Sequence, residues 1–253
     1  MNMLEGKSIV ITGAGSGIGR SACQLFAEYG ARIVAADVDE AGGAETVELV
    51  RGAGGEIDFI RTDVTIENDV KSMVAFAVDR MGQINGAFNN AGIAQSATIL
   101  HELDASTWQR ALDINLTGVF TCIKYQVIQM LAQGSGGSIV NTASTLGQVA
   151  IPRGSEYCAS KHGVLGLTKG AALDYAASGI RVNAVLPGAT QTPMIDRAVA
   201  NDPGLGDFIA QVHPLGRFGK ASEVAEGAAW LLSDAASFVT GTSLNVDGGY
   251  VIH

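Results

Sequence analysis

Tyr157 and Lys161 stand four residues apart in the run Tyr157-Cys158-Ala159-Ser160-Lys161, and Ser144 lies thirteen residues upstream of the tyrosine. Four residues is about one helical turn, so on a helix the phenol and the ammonium share a face. A nearby ammonium favours the ionised phenol. Bringing a tyrosine from its free value of about 10 toward neutrality takes roughly 3 kcal/mol of differential stabilisation, which a desolvated lysine supplies. A phenol tuned in this way takes the proton of an alcohol and, in the reverse direction, protonates a forming alkoxide. Ser144 would hold the substrate oxygen between them.

A second constellation opens the chain. Thr12-Gly13-Ala14-Gly15-Ser16-Gly17-Ile18-Gly19 joins an apolar strand-like run to an amphipathic one. Glycines suit a chain that turns sharply and admits a ligand to its backbone, and free N–H groups at a helix start attract a pyrophosphate. Gly13, Ser16, Gly17, Ile18 and Gly19 are so placed, in the spacing T-G-x-x-x-G-x-G rather than G-x-G-x-x-G. Asp37 ends the next strand-like run, where a carboxylate accepts both hydroxyls of an adenosine ribose. The plainer readings are a glycine-rich turn and a surface aspartate.

The elements that must position these residues follow from the apolar pattern. Strand-like runs read at Ser8 to Thr12, Arg32 to Ala36, Glu56 to Arg61, Gly86 to Asn89, Gly137 to Thr142, Ile180 to Leu186 and Leu244 to Val246. Helix-length segments fill the gaps, the first from about Ile18 to Tyr29. This alternation predicts βαβ units. Runs such as Ser138-Ile139-Val140 lack clean polar alternation, as strands do when both faces of a parallel sheet are covered. The expected fold is therefore α/β, a doubly wound parallel sheet in one domain over residues 1–253. Gly134-Ser135-Gly136-Gly137 is linker-like in composition but short enough to be a turn. Pro187 to Leu215 shows no clear element, and it follows a strand end, where ligands bind in such sheets.

Composition narrows the partners. Lys plus Arg number 16 against 25 Asp plus Glu, and a net charge of −9 repels a phosphate backbone, so nucleic acid is not expected as a partner. The chain is 47% hydrophobic, yet no apolar run is long enough to span a bilayer and no charged-then-apolar leader opens it. A soluble cytoplasmic protein, with no membrane partner, is the expectation. Cys23, Cys122 and Cys158 are odd in number and widely spaced, which fits reduced thiols, with Cys158 read as an apolar filler. His101, His162, His213 and His253 show no ligand spacing, so no metal is expected.

Together these signals resemble the short-chain dehydrogenase/reductase family in its single-domain form, along essentially the whole chain. Besides the glycine loop and Tyr157-x-x-x-Lys161, the resemblance rests on Asp63-Val64, Asn89-Asn90-Ala91-Gly92, Asn115, Ser144, Pro187-Gly188 with Thr192, and Val246-Asp247-Gly248-Gly249. It implies a Rossmann-like sheet of about seven strands in the order 3-2-1-4-5-6-7. It also implies a nicotinamide dinucleotide laid across the strand ends, with Asp63 and the Val64 backbone at the adenine and Asn90 and Gly92 near the neighbouring ribose. Pro187, Gly188, Thr190 and Thr192 would lie at the carboxamide end. Lys161 would tune Tyr157 and bind the nicotinamide ribose, Ser144 would orient the substrate oxygen, and Asn115 would hold a water in a proton relay. Plainer readings stand beside these: a cap or turn for Asp63, an asparagine turn for Asn89-Asn90, a satisfied buried amide for Asn115.

The activity so implied moves hydride between a nicotinamide and a secondary alcohol or its ketone, on a compact or cyclic apolar alcohol or diol. One alternative is a 3-oxoacyl-thioester reductase, whose anionic carriers would meet basic surface near the lid, offered mainly by Arg197 and Arg217. Another is a non-catalytic dinucleotide sensor, which has no use for Ser144, Tyr157, Lys161 and Asn115 together. A substrate lid is expected at about 190–214, broken at Asn201-Asp202-Pro203-Gly204-Leu205-Gly206. Met194, Ile195, Phe208, Ile209 and Val212 would line it, facing Leu146, Val149 and Ile151. A homotetramer is expected from the resemblance, from a small-residue surface at Ala171-Ala172, and from the apolar helices around Val119 to Met130 and Val164 to Tyr175. The expected cofactor is NAD(H). A 2′-phosphate about 4 Å from Asp37 would be repelled by roughly 1 to 4 kcal/mol. Ser16 and Val38 occupy the positions where a basic residue would offset it, and the nearest basic residues in sequence, Arg20 and Arg32, should point elsewhere.

Overall fold

The computed structural model describes residues 2–201 and 203–252, with the backbone alone at Arg197, Ala198, Asn201, Pro203 and Leu205. Asp202 of the expected lid break and His253 lie outside the described residues, as does the side chain of Arg197. The chain runs through β1 (Ser8–Thr12), α1 (Gly17–Glu28), β2 (Arg32–Asp37), α2 (Glu40–Gly52), β3 (Glu56–Arg61), α3 (Glu67–Met81) and β4 (Gly86–Asn89). It continues through α4 (Ala105–Leu112), α5 (Gly118–Gln133), β5 (Gly137–Thr142), α6 (Ser155–Tyr175), β6 (Ile180–Pro187) and β7 (Thr190–Gln191). The remainder is α7 (Pro193–Asn201), α8 (Pro203–Val212), β8 (Gly219–Lys220), α9 (Ala221–Leu232) and β9 (Ser243–Val246).

Seven strands form one parallel sheet in the order β3-β2-β1-β4-β5-β6-β9. This is the order expected. Its last strand counts as β9 because β7 and β8, two residues each, pair with one another outside the sheet. Alternate residues of each strand serve opposite faces: Ile9, Ile11, Ile33 and Ala35 pack with Phe26 of α1 and Ala228 of α9. Val10, Val34 and Ala36 pack with Met73 of α3, Ile123 of α5 and Val164 of α6. Each large aliphatic side chain so buried contributes about 1.5–3 kcal/mol, so the strands are held from both sides and need no polar face.

Two expectations change here. Ala171 and Ala172 are buried in the core rather than forming a small-residue surface, because that face of α6 lies on the sheet. The stretch from Pro187 to Leu215 carries β7, α7 and α8. The glycine run after α5 is a turn, with Gly134 and Gly136 at φ of 68° and 71°. Among the described residues no helix is long and apolar enough to cross a membrane. The order reverses between β1 and β4, so the loops after these strands diverge and open a crevice at the C-terminal edge.

Candidate active site

The loop after β1 is shaped by backbone that only glycine adopts easily. Gly13 and Gly17 have φ of 67° and 52°. A Cβ on Gly19 would stand 2.0 Å from the Gly13 carbonyl oxygen, so α1 starts where no side chain fits. The Thr12 hydroxyl accepts from the Asn90 and Ala91 N–H groups at 3.0 and 3.1 Å. The Asn90 amide donates to the Thr12 and Gly13 carbonyls, both at 3.3 Å. The loops after β1 and β4 are thereby stapled across the crevice. Thr192 reaches the same loop, 3.2 Å from where a Cβ on Gly17 would be.

Asp37 is fixed by two backbone donors, the Gly15 N–H at 2.8 Å and the Asp39 N–H at 2.9 Å. Asp63 accepts from the backbone and hydroxyl of Thr65 at 2.9 and 2.7 Å, so the turn reading holds, and it also lines the cleft with Val64. Arg20 is engaged by the Gly15 carbonyl at 2.6 Å and by Glu45 at 2.6 Å, and Arg32 by Ser8 and the Met81 carbonyl at 3.0 Å each. Neither lines the cleft. Arg61 does, because the register of β2 on β3 sets it opposite Asp37. Sequence proximity overlooks it; the shared C-terminal position of the two residues on their strands is the signal that finds it.

At the other end of the cleft, Ser144, Tyr157 and Lys161 come together, from the loop after β5 and the first turns of α6. The Lys161 ammonium donates to the Thr142 carbonyl at 2.9 Å and stands 5.6 Å from the centre of the Tyr157 ring. Burial pulls this lysine down to about 8. Burial also pushes the Tyr157 phenol above its ordinary value, with Cys158 adding to the rise and a hydrogen bond with Ser144 working against it. The shift runs opposite to the lowering expected from Lys161, and the hydrogen bond with Ser144 is what opposes it. Asn115 is wholly buried in a π-turn, Asp113–Thr117, between α4 and α5. Its side chain accepts from the Ile93 N–H at 2.8 Å and donates to the Ile93 carbonyl at 3.0 Å, which is the satisfied buried amide. The π-turn is the feature residue types do not reveal, and such turns recur at functional sites. Gly92 lies against this pair, with room for a Cβ only 3.1 Å from the Asn115 oxygen.

Both constellations line one cleft of about 1080 Å³. Part of it is apolar, lined by Met194, Ile195, Phe208, Ile209 and Val212 together with Leu146 and Ile151. Val149 is not among the lining residues. Pro187, Gly188 and Thr190 floor it, and a Cβ on Gly188 would stand 2.8 Å from His213 Nε2. His213, considered in the sequence only as a metal ligand, joins two segments: Nε2 accepts the Ala189 N–H at 3.1 Å, which puts the ring proton on Nδ1, donated to the Ile209 carbonyl at 2.6 Å. Tyr250 stacks on it, 5.0 Å between ring centres. Glu156, beside the tyrosine, is buried with one carboxylate oxygen on the Ser96 N–H at 2.6 Å. Among the described residues no cluster of three or more His, Cys, Asp or Glu side chains could hold a metal.

The glycine cradle, the fixed Asp37 carboxylate and the long two-armed cleft fit a dinucleotide. The family profile described as "Enoyl-(Acyl carrier protein) reductase" matches residues 13–251. A 2,5-dichloro-2,5-cyclohexadiene-1,4-diol dehydrogenase of Sphingobium indicum is 49% identical over 99% of both chains. A cis-4-hydroxycyclohexanecarboxylate dehydrogenase of Sinomonas cyclohexanicum is 46% identical over 95% of both. A solved structure of an actinorhodin polyketide ketoreductase variant with NADPH superposes with a TM-score of 0.92 at 37% identity, covering 98% of both chains.

Proposed function

The chain belongs to the short-chain dehydrogenase/reductase family, and from that premise we propose that it is an NAD(H)-dependent oxidoreductase acting on a secondary alcohol or diol of a six-membered ring. The observation that carries the reading is the convergence of Ser144, Tyr157 and Lys161 at one end of a cleft whose other end holds Asp37. The apolar substrate arm supports a compact ring, and two relatives are named for rings with polar groups at positions 1 and 4.

A bound nicotinamide dinucleotide supplies the hydride acceptor or donor. The chain's own residues handle the proton and the geometry. In oxidation Tyr157 takes the alcohol proton at its phenolate oxygen, and in reduction it returns that proton. Ser144 holds the same substrate oxygen by its hydroxyl. Lys161 stabilises the ionised phenol and binds the nicotinamide ribose. The side chain of Asn115 is committed to Ile93, so its part in a proton relay falls to the backbone of the π-turn, which departs from the regular helical ladder. The substrate lid is formed by α7 and α8.

The cofactor preference rests on Asp37. Its two backbone bonds hold the carboxylate where a 2′-phosphate would go, while Val38 is exposed and uncharged. Family membership does not decide the point, since one solved relative carries NADPH. We expect kcat/KM with NAD to exceed that with NADP by at least about tenfold. Comparable efficiency with both cofactors would overturn the assignment.

The acyl-thioester reading is favoured by the name of the family profile. Against it, Arg217 is held by both oxygens of Glu223 at 2.7 and 2.8 Å and is not free for an anionic carrier. Turnover of ring alcohols, but not of β-hydroxy thioesters, separates the two. A homotetramer is supported by Phe120, Ile128 and Leu131 on α5 and Leu173 on α6, all exposed and apolar. Light scattering should return four times the 26.0 kDa chain mass, and a monomer at micromolar concentration would reject it.

A further inference from the structure

We propose that Arg61 is a latent receptor for a 2′-phosphate, and that the charge of Asp37 alone keeps it from being used. This rests on the dinucleotide reading above. Asp37 and Arg61 are register partners on adjacent parallel strands, and such partners stand about 4.8 Å apart with side chains on the same face of the sheet. Both line the adenosine end of the cleft. The two residues therefore start side by side on one face of the sheet, with the guanidinium itself lying toward Asp69 and Glu40.

That guanidinium is loosely held. It is half exposed, with Nη1 3.5 Å from Asp69 and Nε 4.0 Å from Glu40. A firm charge-assisted bond is about 2.7–2.9 Å, as Arg217 and Glu223 make at 2.7 Å. Arg61 is thus free to turn toward an anion, and its planar fork matches a phosphate. Arg20 offers no substitute, since Gly15 and Glu45 occupy it. Asp37, in contrast, is pinned by Gly15 and Asp39. In the native protein a 2′-phosphate meets that fixed carboxylate before it gains the cation. With the carboxylate neutralised, the cation is reached by a turn of the Arg61 side chain away from Asp69 and Glu40, and no basic residue needs to be introduced.

Calorimetric titration of the full chain with 5′-AMP and with adenosine 2′,5′-bisphosphate isolates the 2′-phosphate without any turnover. We expect Asp37→Asn to shift relative affinity toward the bisphosphate by about 30-fold. Adding Arg61→Gln should remove at least about tenfold of that gain, whereas Arg61→Lys keeps part of it through charge alone. The gain should shrink as salt is raised. A shift that survives Arg61→Gln, or no shift while 5′-AMP still binds, overturns the role of Arg61 and leaves the dinucleotide site standing. Failure of 5′-AMP to bind any variant overturns both.

Discussion

Tyr157→Phe lowers kcat for alcohol oxidation by about 1,000-fold, inside the range of 10² to 10⁴ that a positioned acid or base contributes, while dinucleotide affinity changes little. The substitution deletes one oxygen and almost no volume, so the ring keeps its place above Lys161. Loss of activity then reports loss of the proton acceptor and not of the site. The pH profile sharpens the test. In the role proposed for Tyr157 the ionised phenol is the active form in oxidation, and burial raises the phenol above its ordinary value. In the free enzyme kcat/KM should therefore still be climbing where an ordinary tyrosine has begun to level off. Burial pulls Lys161 down to about 8, so its charge, and with it dinucleotide affinity, should fall over the same rise in pH. The variant should lose the climb and keep the fall. If Tyr157→Phe retained more than a tenth of native activity, or the same alkaline rise, the acid/base role would belong elsewhere.

Gly19→Ala is the second large effect. A methyl group there would stand 2.0 Å from the Gly13 carbonyl oxygen and 2.7 Å from its carbon. Both are backbone atoms, which cannot swing aside as a flexible side chain does. The loop must move, and the Asn90 amide, 2.9 Å from the added carbon, moves with it. We expect a loss of about 1–3 kcal/mol in urea unfolding, as for overpacking elsewhere, and a loss of dinucleotide affinity of about 100-fold, since every donor in the cradle is displaced. Gly52→Ala is the matched control. Beyond its chain neighbours and the adjoining backbone of α2, no atom lies within 4 Å of its Cβ position, so alanine should be neutral or slightly stabilising there. Unchanged affinity in Gly19→Ala would show that the loop can yield.

The central strands are readable from the chain alone because they lie between two helical layers and spell their burial as an apolar run, as Ile9-Val10-Ile11 does within β1. The glycine loop, Tyr157 and Lys161 were readable for a different reason, since their chemistry depends on neighbours within one turn. What escaped depends on pairing between distant segments. Arg61 acquires meaning only through the register of β3 on β2. His213 acquires it through Ala189 and Ile209. Ala171-Ala172 looked like surface because α6 is apolar on more than one side, and only its docking decides which side meets the sheet. The phenol's shift went the opposite way from the sequence expectation because four-residue spacing fixes proximity and says nothing of desolvation.

The ladder of Thr190 with Gly219 and Gln191 with Lys220 brings together the ends of the segment that carries α7 and α8, so that these helices leave the fold and rejoin it at nearly one point. A loop closed in this way changes length or sequence at small entropic cost, and the sheet folds without consulting it. The lineage of such a protein can therefore change what this segment covers far faster than it changes the sheet. His213 is the brake on that drift. It ties α8 to the loop after β6, so descendants in which this segment changes should keep a side chain there that both accepts from Ala189 and donates to residue 209.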